Sequence, residues 1–217
     1  QAVIQADYFL RSGDARRALV IGAETLSRVS DPHDRDSMLY ADGAGAAILE
    51  ARPLPGRGIL AHASRSDTVE HATLLRMDRS YHPTHSNGRL FLKMEGHRLY
   101  EYALRTVPGV VRQALERAGV ALSDVKKILL HQANGKMDKA IVGRLFRGEK
   151  SSPEAREVLP MTVSSLGNSS VATLPTLLDL ILKGKLDGHH LASGDVVVFA
   201  SVGAGMNINA LVYRNPG

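Results

Sequence analysis

Two polar clusters in this chain have residue types that could do chemistry. His131-Gln132-Ala133-Asn134 closes an apolar run, and Gly167-Asn168-Ser169-Ser170 precedes a helical pattern further on. An imidazole and a carboxamide are two of the three groups of a Cys-His-Asn site, in which a sulfur accepts an acyl group and its neighbours stabilise the developing charge. The chain has no cysteine. Each residue also has a plainer reading. His131 could end a strand and be satisfied by the backbone, and Asn168 could cap a helix or form a left-handed turn after Gly167. The company of Gln132 and Asn134 favours chemistry at His131; Asn168 can serve both purposes.

The elements that must position these residues alternate between helices and short apolar runs, as in an α/β protein with parallel strands covered by helices. Strands are expected at 17–22, 44–49, 127–130, 195–200 and 208–213. Helical spacing covers about 93–118, 134–146 and 169–182. Segments 52–92 and 147–160 are looser, and the first holds Pro53, Pro55, Gly56 and Gly58. The opening residues 2–10 already have helical spacing with no capping residue before them, so the chain is expected to begin inside a helix.

An internal repeat organises the ends of the chain. Residues 8–13 leading to 18–23 are echoed by 181–184 leading to 196–201, and each copy continues through a glycine-rich turn, Asp42-Gly43-Ala44-Gly45-Ala46 or Gly203-Ala204-Gly205-Met206-Asn207, into a strand. Aligning Gly13 with Gly184 sets Gln1 against Ala172. The first-copy counterpart of Asn168-Ser169 is therefore expected just upstream of Gln1.

Composition excludes several classes. In 217 residues, 44% hydrophobic and 23% charged, there is no long apolar span or basic, apolar leader, so no membrane partner and a cytosolic protein are expected. Net charge is +5, which favours acidic partners, but basic residues are scattered and aromatics are only 5%, so nucleic acid is not one of them. Nine histidines include no HExxH-like pair, so no metal or other cofactor is expected. Gly43-Ala44-Gly45 and Gly203-Ala204-Gly205 read as turns rather than a dinucleotide loop, and there is no Gly-x-Ser-x-Gly elbow.

Taken together, His131-Gln132-Ala133-Asn134, Gly167-Asn168-Ser169-Ser170, Asp42-Gly43-Ala44-Gly45-Ala46 and Asp31-Pro32-His33-Asp34-Arg35 resemble the β-ketoacyl-acyl-carrier-protein synthase III family, in the family's order along essentially the whole chain. The resemblance implies a thiolase-like α/β fold. Residues 1–51 would be the last helix and strands of its amino-terminal half, and 52–217 the complete second half, β-α-β-α-β-α-β-β. It also implies a decarboxylative Claisen condensation of an acyl thioester, from acyl-coenzyme A or acyl-carrier protein, with malonyl-acyl-carrier protein, in fatty acid or related polyketide biosynthesis. His131 and Asn168 would hold the enolate oxygen, and the Gly205 N–H would join an oxyanion hole. Gln132, Asn134 and Lys136 would meet the carrier protein or its pantetheine arm. The nucleophilic cysteine would lie just before Gln1, the chain alone would be inactive, and the complete protein would be a homodimer. An alternative is a cysteine-free, non-catalytic partner subunit.

Overall fold

A computed structural model describes residues 1–85, 88–149 and 155–217. In chain order the elements are α1 (Ala2–Ser12), β1 (Arg17–Thr25), β2 (Asp42–Glu50), β3 (Gly58–Ser66), α2 (Thr68–His71), β4 (Leu75–Asp78), β5 (Phe91–Met94), α3 (Gly96–Ala118), β6 (Val125–Leu130), α4 (Gly135–Leu145), α5 (Ala155–Val158), α6 (Val163–Leu166), α7 (Thr173–Leu182), β7 (Val196–Gly203) and β8 (Asn207–Arg214). The main sheet runs β3–β8–β7–β6. It is mixed: β6 and β7 are parallel, while β8 is antiparallel to both its neighbours. The expected β-β ending is this hairpin, because the three-residue turn between β7 and β8 is too short for a crossover.

The expected strands and helices are all present, with two shifts. Lys93 belongs to β5 rather than to the helix that follows, and 169–182 begins as a 3-10 turn at Ser170–Ala172 before α7. Within the segment expected to be loose, β3 joins the main sheet and β4 pairs with β5. Residues 86–87 of that segment, and 150–154 of the second loose segment, lie outside the described residues.

Helix α3 buries Leu99, Ala103, Val107, Val110, Val111 and Ala114, a stripe spaced three and four apart, over one face of the main sheet. It also packs against α4. Pro108 has no N–H to give the Leu104 carbonyl one turn back, and Arg144 of α4 donates to that oxygen instead at 3.5 Å. Arg112 of α3 donates in return to the Leu145 carbonyl at the end of α4. On the other face of the sheet, Leu177 and Ile181 of α7 form a second cluster with Leu129 and Val197. The opposite side of α7 packs against β2, so this helix lies between two sheets. Among the described residues, no helix is long and apolar enough to cross a membrane.

The motif expected as a turn before the second strand lies within β2, and its glycines face the helix layer. Gly22 and Gly45 are directly opposed in the β1–β2 ladder. A β-carbon at Gly45 would stand 2.5 Å from Pro175 Cγ, and one at Gly22 would stand 2.7 Å from the Val171 carbonyl oxygen. These glycines serve close approach, not a turn.

Two predictions follow from this packing. Gly45→Ala should cost about 1–3 kcal/mol by overpacking against a proline ring that cannot move aside, whereas Ala46→Ser on the exposed face of β2 should stay within about 0.5 kcal/mol. Urea denaturation of the two variants provides the comparison. The second concerns Asp138 of α4, which is 1% exposed with its Oδ2 unpartnered among the described residues. Burial pushes its pKa up to about 8. The folded state thus keeps a proton that the unfolded chain releases near pH 4, and stability is lost as pH rises from there towards 8. Asp138→Asn should therefore gain stability over the parent at pH 8, with the gain shrinking as pH falls to 4; urea midpoints across that range give the trend.

Candidate active site

Strand β6 ends at Leu130, opposite Ala200 of β7. The His131 N–H donates to the Ala200 carbonyl at 3.0 Å, so His131 extends the parallel ladder by one residue. The Ala133 N–H then turns back onto the His131 carbonyl at 2.9 Å, and the chain enters α4. Asn134 caps that helix, its Oδ1 accepting from the Met137 N–H at 2.8 Å. Strand β7 continues to Gly203, so the turn holding Gly205 lies at the same carboxyl end of the parallel pair as His131, where α/β proteins collect ligands. Gly205 has φ +113, and a β-carbon there would stand 2.5 Å from Asn207 Nδ2. The positive φ is what favours glycine at this position.

Asn168 is placed by its main chain. Its N–H donates to the Leu39 carbonyl at 2.7 Å and its carbonyl accepts from the Ala41 N–H at 2.9 Å, so it is held against the approach to β2 on both sides. Its Oδ1 accepts from the Ser170 N–H at 2.9 Å, which is the turn-forming role. Its Nδ2 has no partner among the described residues. Ser170 carries φ +52, a left-handed conformation costly for a residue with a β-carbon, and such strain gathers at functional sites.

His131 and the Asn168 segment are neighbours, because the main chain of Ser170 lies beside the imidazole. Burial lowers the His131 pKa to about 4; the Ser170 main chain favours the charged form, by less. The imidazole is therefore neutral at pH 7. The unfolded chain takes up a proton on this histidine below about pH 6.5 that the folded one refuses until near 4, so acid removes stability across that window.

The three residues expected to meet a carrier protein or pantetheine divide. Gln132 is fully buried, and its amide is committed to main chain: Oε1 accepts from Thr162 and Val163 at 2.9 and 3.2 Å, while Nε2 donates to the Leu130 and Pro160 carbonyls at 3.3 and 3.4 Å. With no surface and no spare amide group it cannot touch pantetheine, which corrects that expectation. Asn134 is partly buried and spends its oxygen on the cap, leaving its amide N–H groups. Lys136 is exposed on the first turn of α4.

A buried ion pair was missed from sequence. Lys93 of β5 is 2% exposed and pairs with Asp31, which is wholly buried. The ammonium also lies 3.6 Å from the centroid of the Tyr81 ring and 3.5 Å from Asp34. Burial opposes ionisation of Asp31, but Lys93 and hydrogen bonds from the Tyr81 and His33 N–H groups and the Ser80 hydroxyl outweigh it, holding the carboxyl well below its usual range. The available signal was a lysine at an inward position of Phe91-Leu92-Lys93-Met94, two residues from buried Phe91. Among the described residues, no cluster of His, Asp or Glu is arranged to hold a metal.

Comparison with known proteins gives a family for the chain. A sequence model described as 3-oxoacyl-[acyl-carrier-protein (ACP)] synthase III matches residues 1–68, and its C-terminal counterpart matches 115–215. The chain is 36% identical over 219 residues to the β-ketoacyl-[acyl-carrier-protein] synthase III of Chelativorans sp., covering 98% of this chain and 63% of that one, and 36% identical over 225 residues to the synthase of Synechococcus sp.. It spans less than two thirds of the length of these relatives. Among solved structures, the 3-oxoacyl-[acyl-carrier-protein] synthase III of Aquifex aeolicus superposes with a TM-score of 0.81 at 32% identity, over 98% of this chain and 62% of that one. The enzyme of Thermus thermophilus also gives 0.81, at 28% identity. With both halves of the family's sequence matched and the thiolase-like fold in common, this chain belongs to the 3-oxoacyl-[acyl-carrier-protein] synthase III family.

Proposed function

We propose that the chain carries the enolate-stabilising part of a cytoplasmic synthase that condenses an acyl thioester with malonyl-acyl-carrier protein, in fatty acid or related polyketide biosynthesis. The observation that carries the reading is the meeting of an uncharged His131 with the Asn168 segment at the carboxyl end of the parallel pair. The nucleophilic cysteine comes from sequence outside these 217 residues, which contain none. In the reaction, the acyl group passes from its thioester to that sulfur and the carrier thiol leaves. The malonyl thioester then loses carbon dioxide, and the electron pair of the broken bond becomes an enolate. His131 and Asn168 donate N–H groups to the enolate oxygen. Its carbon attacks the acyl carbonyl, and the cysteine departs as thiolate.

The acid–base state of the histidine matters to this scheme. An imidazolium beside the enolate would protonate the carbon that must attack, whereas a neutral imidazole can donate a hydrogen bond without giving up its proton. A neutral ring carries one N–H, and the Ser170 main chain, which favours the protonated ring, competes for it with the enolate oxygen. The Gly205 N–H would serve the other oxygen, that of the acyl-cysteine adduct as it is attacked. Lys136 stands at the positive end of the α4 dipole, which disfavours a cation there, and it is suited to an acidic carrier protein or a phosphate.

In the synthase that contains the cysteine, His131→Ala should slow condensation roughly 10²- to 10³-fold, about 3–4 kcal/mol, as for loss of one oxyanion donor, while acyl loading of the sulfur proceeds at the parental rate. Rates of the two half-reactions, by product assay and by protein mass, decide it; equal loss in both would remove His131 from this role. The 217 residues incubated alone with acyl-coenzyme A should show no stable acyl mass gain. Because His131 already sits near pKa 4, the parent's condensation rate should show no inflection near pH 6.5.

A further inference from the structure

The Gln132 amide joins two loops that the enolate site needs in fixed relation. Its neighbour His131 continues the β6 ladder, and successive side chains of an extended segment point to opposite sides. His131 thus faces the main chain of Ser170, while Gln132 reaches into the interior towards residues 160–163. There its oxygen accepts from the N–H groups of Thr162 and Val163, at the start of α6, where a helix leaves N–H groups without intrahelical partners. Its nitrogen donates to the carbonyls of Leu130, the last residue of β6, and Pro160. The four residues of α6 lead through Gly167 directly to Asn168, whose own main chain is tied to Leu39 and Ala41. The Asn168 segment is therefore held from its amino-terminal side by Gln132, and meets His131 on its carboxyl-terminal side.

We infer that Gln132 is a positioning residue that sets the relative placement of the His131 and Asn168 donors through its amide bonds to 160–163, and is not a substrate contact. The inference rests on the enolate role given to those two residues above. A side-chain amide of this length fits the task because it offers an acceptor and donors together; asparagine is one methylene shorter, leucine has neither group, and an ionised glutamate has no donor.

The test uses the complete, cysteine-containing synthase. Gln132→Leu should lower the condensation kcat about 10²-fold, the scale of an ångström's misplacement of a reacting group, with KM for malonyl-acyl-carrier protein and the rate of acyl loading unchanged. In a His131→Ala background the same substitution should cause little further loss, since the pairing it maintains is already gone. Gln132→Glu guards against a leucine variant that does not fold. When protonated, its carboxyl keeps one acceptor and one O–H donor, so its condensation rate should rise as pH is lowered, a limb the parent lacks, again at constant KM. Full additivity of Gln132→Leu with His131→Ala, or equal losses in loading and condensation, would overturn the inference. So would a glutamate variant that is folded and has the parent's pH profile. If His131→Ala alone leaves condensation intact, it is the enolate reading that fails, and the positioning role falls with it.

Discussion

A methyl group at position 45 would lie 2.5 Å from the Pro175 ring, and one at position 43 would lie 2.9 Å from Ser169 Cβ. The segment from Asn168 to Pro175 therefore runs as close to β2 as backbone allows. That closeness lets the Asn168 main chain bond to Leu39 and Ala41, and with Asn168 fixed there, Ser170 comes beside the His131 ring at the end of β6. On its other side α7 buries Leu177 and Ile181 against Leu129 and Val197 of the main sheet. One segment thus touches both sheets, and a bulkier residue in β2 would push the carboxamide relative to the imidazole as well as weaken the packing.

Burial acts on charge in three different ways around this core. At His131 it removes the positive charge, which suits the donor role proposed for it. At Asp138 it removes the negative charge, and no partner among the described residues compensates. At Asp31 the same desolvation is outweighed by Lys93, two N–H groups and a hydroxyl, so the charge persists. The difference is the number of donors within reach: a carboxylate stays ionised in the interior when several converge on it and not otherwise. The ionised cluster ties residues 80–81 and β5 to the loop at Asp31, and the uncharged histidine faces the site.

The repeat seen in the sequence has a structural form. In both copies a helix ends at a left-handed glycine, Gly13 with φ +85 or just before Gly184 with φ +63, and an antiparallel strand pair follows. Their surroundings differ. The β7–β8 pair is covered by α3 on one face and α7 on the other, whereas the outward face of β1–β2 leaves Leu19, Ile21 and Ile48 more than 60% exposed. The sequence pattern of the two pairs is similar because each has one face on the same middle layer of helices.

What was legible in the sequence is what has a period or a fixed residue type. The helix of residues 96–118 and the buried runs of β6 and β7 announce themselves by spacing, and the turn at Asn168 by its residue types. Strand β3 was missed because Ala61, Ala63 and Ser64 are poor strand formers that pair only because β8 offers a long partner edge. Gln132 was misassigned for a more general reason. Apart from Met161 Sδ, its partners are main-chain groups of Thr162, Val163, Leu130 and Pro160, and any residue type supplies a carbonyl, while all but proline supply an N–H. A side chain that recognises backbone leaves no complementary residue elsewhere in the chain to point back at it. The polar residue beside a catalytic candidate therefore looks like another candidate until its partners are seen.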